Sequence, residues 1–247
     1  MADRQRFGDL EVTAVPSPTA NPADTTSHGT PPALEARTLY RFFRADEEET
    51  LALQGVTLAL AAGELVALSG PSGSGKSTLL SCLAGTDEPS GGTVWIGGER
   101  ISGRTEADRA GLRARSIGTM AQSGNLLDHL TVAGNIRLAQ SLVRRRPADA
   151  TQLLEGLGMA QRAHAYPGQL SGGERARASL AVAMANTPRV VLADEPTGEL
   201  DQATEERLLQ LLRQQARTGC AVLVASHSPA VSDAADRTLR LAEGRLV

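Results

Sequence analysis

Gly70-Pro71-Ser72-Gly73-Ser74-Gly75-Lys76-Ser77-Thr78 is the stretch whose reading decides the fold. It fits the phosphate-loop spacing G-x-x-x-x-G-K-[ST]. The apolar run Leu65-Val66-Ala67-Leu68 before it reads as a buried strand, and Leu79-Leu80-Ser81-Cys82-Leu83-Ala84 after it reads as a helix. Strand, glycine loop and helix in that order are the setting the motif requires. Gly70, Gly73 and Gly75 let the backbone curl until several N–H groups point inward at phosphate oxygens. The helix that follows directs the positive end of its dipole at the same anion. Lys76 then reaches the β- and γ-phosphates, and the Ser77 hydroxyl a Mg2+ ion. The plain alternative is a glycine-rich turn carrying an exposed lysine. It is outweighed because loop, strand and helix all agree with the pattern.

Around this loop, 247 residues allow one large domain or a core with an inserted subdomain. A net charge of −3 gives no global basic field for nucleic acid or lipid. Cys82 and Cys220 lie far apart in apolar surroundings and suit a reducing compartment as small core residues. The longest apolar stretch, Leu51 to Leu68, is broken by Gln54, Gly55, Gly63 and Glu64, so no segment reads as a membrane span. The N-terminus lacks a hydrophobic signal core. Any work at a membrane is therefore expected to need a second chain that supplies the membrane part.

Residues 1 to 33 are rich in Pro, Thr, Ala and Ser without apolar periodicity, and read as a disordered tail. Strands are expected from Leu34 to Phe43 and from Leu51 to Leu60, with Asp46-Glu47-Glu48-Glu49 as a solvated turn between them. The chain has only one Trp, two Tyr and three Phe, yet Tyr40, Phe42 and Phe43 cluster just upstream of the phosphate loop. That clustering suggests a stacking platform for a purine, with ordinary core packing as the alternative for each ring. Thr93 to Ile96 reads as a strand closed by a Gly97-Gly98 turn. From about 103 to 170, helix formers and short glycine breaks suggest a helical insert, with Gln122 opening a loop after Ile117 to Met120.

Three further groups follow in order. Leu170-Ser171-Gly172-Gly173-Glu174 precedes an alanine-rich helix. Ser171 with two glycines at a helix start makes a second anion site, or simply a helix cap. Val190-Val191-Leu192-Ala193 is a second buried strand ending in Asp194-Glu195, at the sheet edge where ligands of parallel sheets bind. Asp194 suits Mg2+, and Glu195 suits polarisation of an attacking water. Burying both carboxylates for structure alone is costly without a cation. Asp201 caps the next helix and could also contact a ligand. Ala221 to Ala225 is a third buried strand, ending at Ser226-His227. His227 could meet a phosphate oxygen or the attacking water, or be a capping or core histidine.

Taken together and in this order, the motifs resemble those of the ATP-binding cassette ATPases, the nucleotide-binding subunits of ABC transporters. The resemblance covers about residues 34 to 247. Gly70 to Thr78 matches Walker A, Gln122 the Q-loop, and Leu170 to Glu174 the signature motif. Val190 to Glu195 matches Walker B with its catalytic Glu, Gly198-Glu199-Leu200-Asp201 the D-loop, and His227 the switch histidine. Walker A alone would say only P-loop NTPase; the signature pentapeptide makes the reading specific. Ala193-Asp194-Glu195-Pro196-Thr197-Gly198 and Asn125-Leu126-Leu127 look like the lipoprotein-releasing, macrolide-exporter and cell-division branch. Phe43 takes the place of the adenine-stacking aromatic. Ala121, Asp128, Glu199, Arg175-Ala176 and Val182 depart from that branch's usual residues, and none of these departures removes a catalytic group.

The resemblance implies an α/β fold: a RecA-like P-loop core, a small antiparallel β subdomain and an inserted helical subdomain. It implies ATP and Mg2+ as ligands. Lys76, Gln122, Glu195 and His227 would be catalytic, with Ser77, Gln122 and Asp194 on the metal. ATP contacts would come from Phe43, Gly70, Pro71, Ser72, Gly73, Ser74, Gly75, Lys76, Ser77 and Thr78, and from Ser171, Gly172, Gly173, Glu174 and Asp201. It implies a head-to-tail dimer of cassettes, or pairing with a second cassette, on an integral membrane permease at the cytoplasmic face of the membrane. Transport of a solute or lipid-linked cargo, import included, and force transmission without transport remain alternatives. A soluble cassette acting on DNA, the ribosome or an assembly scaffold is disfavoured: the chain has one cassette, no long heptads, no zinc spacing and no basic face. No nucleic-acid partner is therefore expected.

Overall fold

The computed structural model of the chain describes residues 31–45, 48–121, 125–144 and 149–247. Two sheets organise them. The smaller is antiparallel, in the order β2-β1-β4-β5. It comprises β1 (Leu34–Ala45), β2 (Glu48–Leu60), β4 (Gly91–Ile96) and the short β5 (Glu99–Arg100). The larger contains β3 (Leu65–Ser69), β6 (Ile117–Met120), β7 (Val190–Asp194), β8 (Ala221–Ala225), β9 (Arg237–Ala242) and β10 (Arg245–Leu246). Its order is β10-β9-β3-β8-β7-β6, and every pairing is parallel except the β9–β10 hairpin.

The three apolar runs are continuous rather than alternating because the central strands are buried on both faces. Val66 and Leu68 of β3, Val190 and Leu192 of β7, and Leu223 of β8 join one core with the small sheet and α1 (Lys76–Ala84). Leu65, Ala67, Val191, Ala193, Val222 and Val224 point the other way into a second core. That second core is closed by α3 (Val132–Ser141), α4 (Ala150–Gly156), α5 (Gly172–Met184), α6 (Gln202–Arg217) and α7 (Pro229–Ala234). Successive residues thus serve opposite cores, as the two-residue period of a strand dictates. Leu208, Leu209 and Leu212 carry the buried stripe of α6, each contributing about 1.5–3 kcal/mol by leaving water.

The boundaries differ from expectation in three places. The stretch from 103 to 170 is not wholly helical: after α2 (Glu106–Ser116), residues Ile117–Met120 form the edge strand β6 of the large sheet, paired with β7. Ile117, Gly118 and Met120 are buried there, so a four-residue strand is held by its neighbour rather than by local periodicity. Ala33, within the expected tail, is buried and backbone-bonded to both Leu60 and Gly97; residues 1 to 30 lie outside the described residues. Glu48 and Glu49, read as turn, belong to β2, while Asp46 and Glu47 lie outside the described residues.

Candidate active site

The carboxyl ends of β3, β7 and β8 open into a cleft of about 880 Å3. Gly70, Pro71, Ser72, Gly73, Gly75, Lys76, Ser77 and Thr78 line it from the loop after β3. Asp194, Glu195 and His227 line it from the strand ends beside, and Phe43 from the small sheet. These sequence-predicted residues are therefore brought together. Ser74 is the loop's exception: it is 4% exposed, with its Oγ buried and, among the described residues, without a hydrogen-bond partner.

The loop's glycines serve different ends. A Cβ on Gly70 would run into the Leu241 carbonyl oxygen of β9, and one on Gly75 would come within 2.6 Å of the Ala52 oxygen of β2. Gly73, at φ 77°, faces open space. Two of the three glycines thus let other strands press on the loop, and Gly73 alone leaves its outer side clear. Gly75 is also the N-cap of α1, at φ 103° and with no side-chain cap. Among the described residues no side chain caps the start of α1, so its first N–H groups are available to an anion. Lys76 Nζ folds back to the Gly70 and Pro71 carbonyl oxygens at 2.9 and 3.1 Å.

Glu195 sits at φ 47°, left-handed backbone for a carboxylate residue, one position past β7. Such a conformation costs on the order of 1–3 kcal/mol and persists only where the surroundings hold it. Its N–H bonds the Ala225 oxygen at 2.9 Å. The Ser226 hydroxyl donates to its Oε2 at 3.1 Å, and His227 Nδ1 lies 3.1 Å from both carboxylate oxygens. A carboxylate only accepts, so a hydrogen bond between them has Nδ1 donating. The side chain of Glu195 is 15% exposed and that of His227 75%. Sequence reasoning assigned Ser226 no role; its only signal was a hydroxyl next to the histidine at a strand end. Nor did it find Glu243 and Gly244, which line the cleft because the β9–β10 turn bonds both Ser74 and Gln54.

Among the described residues Asp194 Oδ1 is buried without a hydrogen-bond partner. An orphaned carboxylate oxygen is costly; with Ser77 on the same cleft, the donor set is all oxygen and suits a hard cation. Gln122, the third expected metal-side group, lies outside the described residues.

Ser171, Gly172, Gly173, Glu174 and Asp201 do not line the cleft. Ser171 caps α5 in a reciprocal box: its N–H donates to Glu174 Oε2 at 2.9 Å, and its Oγ accepts from the Glu174 N–H at 3.3 Å. Arg162 donates to the other Glu174 oxygen at 2.7 Å. The Ser171 N–H bond, and then Arg162, hold the Glu174 carboxyl below its usual range. Both oxygens of Glu174, expected on ATP, are thus engaged within the chain: a carboxylate at N3 of a serine-capped helix completes the cap. A Cβ on Gly173 would collide with Thr204, so that glycine permits α5 to pack on the start of α6. Asp201 is the cap of α6, accepting from the Thr204 N–H at 3.0 Å and hydroxyl at 2.8 Å, and these bonds lower its pKa.

A family model described as ABC transporter matches residues 53–198, more than half of the chain. The chain belongs to the ABC transporter ATP-binding family. This ABC cassette is 41% identical over 229 residues to the lipoprotein-releasing system ATP-binding protein LolD of Bordetella pertussis, covering 90% of this chain and 98% of LolD. It is 39% identical over 229 residues to the macrolide export ATP-binding/permease protein MacB of Azoarcus sp., covering 91% of this chain and 35% of MacB. It is similar in fold to the dimeric ATP-binding cassette MJ0796 in a post-hydrolysis state bound to ADP and Pi. The TM-score is 0.79 and the identity 33%, over 86% of this chain and 96% of that one. The ABC cassette is thus the ATP-binding, ATP-hydrolysing subunit of a transporter. Among its described residues no helix is long and apolar enough to cross a membrane.

Proposed function

We propose that this subunit hydrolyses Mg2+-bound ATP in the cleft and uses dimer closure and opening to drive a separate membrane permease. The permease would be of the lipoprotein-releasing or macrolide-exporting kind, worked from the cytoplasmic face of the membrane. The observation that carries the reading is the braced carboxylate of Glu195, held by Ser226 and His227 at the end of the cleft that also holds Lys76. ATP would lie with its base on Phe43 and its phosphates on the loop after β3. Lys76 would leave the Gly70 and Pro71 carbonyls for the β- and γ-phosphates. Asp194 and the Ser77 hydroxyl would hold Mg2+, which when bound neutralises phosphate charge. Glu195 would accept the proton of the attacking water. His227 would keep the carboxylate aimed and present Nε2 to the phosphate side.

Because the Ser171 end of α5 is not part of the cleft of its own chain, we assign it to the partner's nucleotide. Two copies related head to tail would then close two sites at once, or one copy would pair with a second cassette. The dimeric state of MJ0796, similar over most of the chain, supports this arrangement.

The testing experiment is recovery of tagged Glu195→Gln protein from solubilised membranes in ATP. Co-recovery of a permease with few spans and a large external domain is the expected result. A many-spanning permease would move the cassette to ordinary solute transport. Ribosomes, DNA or scaffold proteins without a membrane protein would overturn the transporter reading. Cargo movement in vesicles carrying the recovered pair then separates transport from force transmission.

A further inference from the structure

We infer that Arg41 and Asp87 form a positioning pair that braces the Phe43 ring and ties the base end of the nucleotide cleft to the helix that holds its phosphate end. The inference rests on the reading of Phe43 as the base platform. Arg41 and Phe43 are two apart on β1 and share a face, and the Arg41 guanidinium lies over the Phe43 ring, 4.5 Å from its centroid. Among the described residues Phe43 lines the cleft and Arg41 does not. The guanidinium thus holds the ring from a residue outside the cleft lining, while the 41% exposed ring keeps a surface for a base.

The guanidinium is itself fixed. Arg41 Nε donates to Asp87 Oδ2 at 2.8 Å, with side chains only 23% and 28% exposed. Asp87 is anchored in turn: its N–H bonds the Ser81 oxygen in the last turn of α1 at 3.2 Å. Helix α1 starts at Lys76 in the phosphate loop and runs nine residues, about 13 Å, to Ala84. One rigid helix thus holds the phosphates at its start and, through Asp87 and Arg41, the aromatic ring beyond its end. An acid just past a helix C-terminus lies at the wrong end of the dipole, and Arg41 offsets that charge.

The chemistry favours a positional role. A partly exposed ion pair contributes little to stability. A planar guanidinium over an aromatic face, by contrast, restrains the ring and draws π density toward itself. The opposite face becomes the better partner for an electron-rich purine. Lysine keeps the charge but loses the plane, so it should restore only part of the effect.

The test compares the two ends of the cleft. Dissociation constants are measured for ATP and for inorganic tripolyphosphate, which carries the phosphates without a base, alongside KM and kcat for ATP. Phe43→Ala should weaken ATP by about tenfold or more and leave tripolyphosphate unchanged. Arg41→Met should weaken ATP and raise its KM by about threefold, with tripolyphosphate affinity and kcat held. Arg41→Lys should lie between. Asp87→Asn, which keeps the arginine and releases its anchor, should shift ATP in the same direction by less. If Phe43→Ala leaves the ATP constant unchanged, the base-platform reading fails and this inference with it. If Phe43→Ala weakens ATP but Arg41→Met and Asp87→Asn do not, the platform stands and the brace is overturned. Equal losses for ATP and tripolyphosphate would make the pair structural and would also overturn it.

Discussion

The N-termini of α1 and α5 look alike in sequence and differ in what they leave open. Helix α1 follows a glycine-rich loop and α5 opens on two glycines after Ser171, and both read as anion sites. At α1 the cap is Gly75, and among the described residues no side chain caps it, while Ser74 Oγ and Asp194 Oδ1 nearby are buried without partners. At α5 the cap is Ser171, and a carboxylate of the chain's own, Glu174, completes it with Arg162 behind. Helix α1 has no side-chain cap among the described residues, whereas at α5 the chain itself pairs the N–H groups of Ser171 and Glu174. Backbone N–H groups must be paired somewhere. What separates the two is whether the chain supplies the partner itself.

The comparison can be broken most sharply at the open end. Glu195→Gln should lower phosphate release by about a hundredfold or more while ATP still binds; hydrolysis at the wild-type rate would remove Glu195 from the role of base. Next in size, Lys76→Ala should weaken ATP by about ten- to a hundredfold, since it removes a charge-assisted contact to phosphate. Titration of the purified protein with ATP reads this directly.

The closed end should answer to different measurements. Glu174→Ala should leave ATP affinity of the monomer unchanged while costing about 1 kcal/mol of stability, a fall of about 2–4 °C in Tm. A large loss of monomer ATP affinity in that variant would mean that the two helix ends are equivalent after all. The smallest expected effect concerns pH. The folded Glu174 carboxyl titrates below its ordinary 4.5, so its contribution is present above that value and is lost as pH falls through the depressed one. Glu174→Gln should therefore flatten the decline of Tm below about pH 4.5 relative to wild type, as thermal melts across that range would show.

Much of the site was legible because its chemistry is local in sequence. Lys76 is placed by the glycine spacing before it and the hydroxyl after it, and Glu195 and His227 each come at the end of a buried strand. Less legible were groups whose roles depend on a distant strand. Ser226 matters because β8 lies beside β7, which sets its hydroxyl on Glu195. Glu243 and Gly244 reach the cleft because β9 pairs with β3 from nearly the other end of the chain. Gly70 and Gly75 were read as phosphate glycines, but the pressure on them comes from Leu241 and Ala52. The edge strand β6 was hidden among helix formers because four residues are too few to show a period.

By itself the sequence determined that this protein has a phosphate loop on a parallel sheet, two carboxylates at a strand end and a second glycine-rich helix start. Each follows from spacing within a few residues. Only the tertiary structure decided which polar groups remain without a partner. It paired His227 and Ser226 with Glu195, gave Glu174 to its own helix cap, left Asp194 Oδ1 bare, and set Arg41 on Phe43. The physical reason is that hydrogen-bond satisfaction is a property of the whole packed chain: a donor's nearest acceptor in space is often far away in sequence.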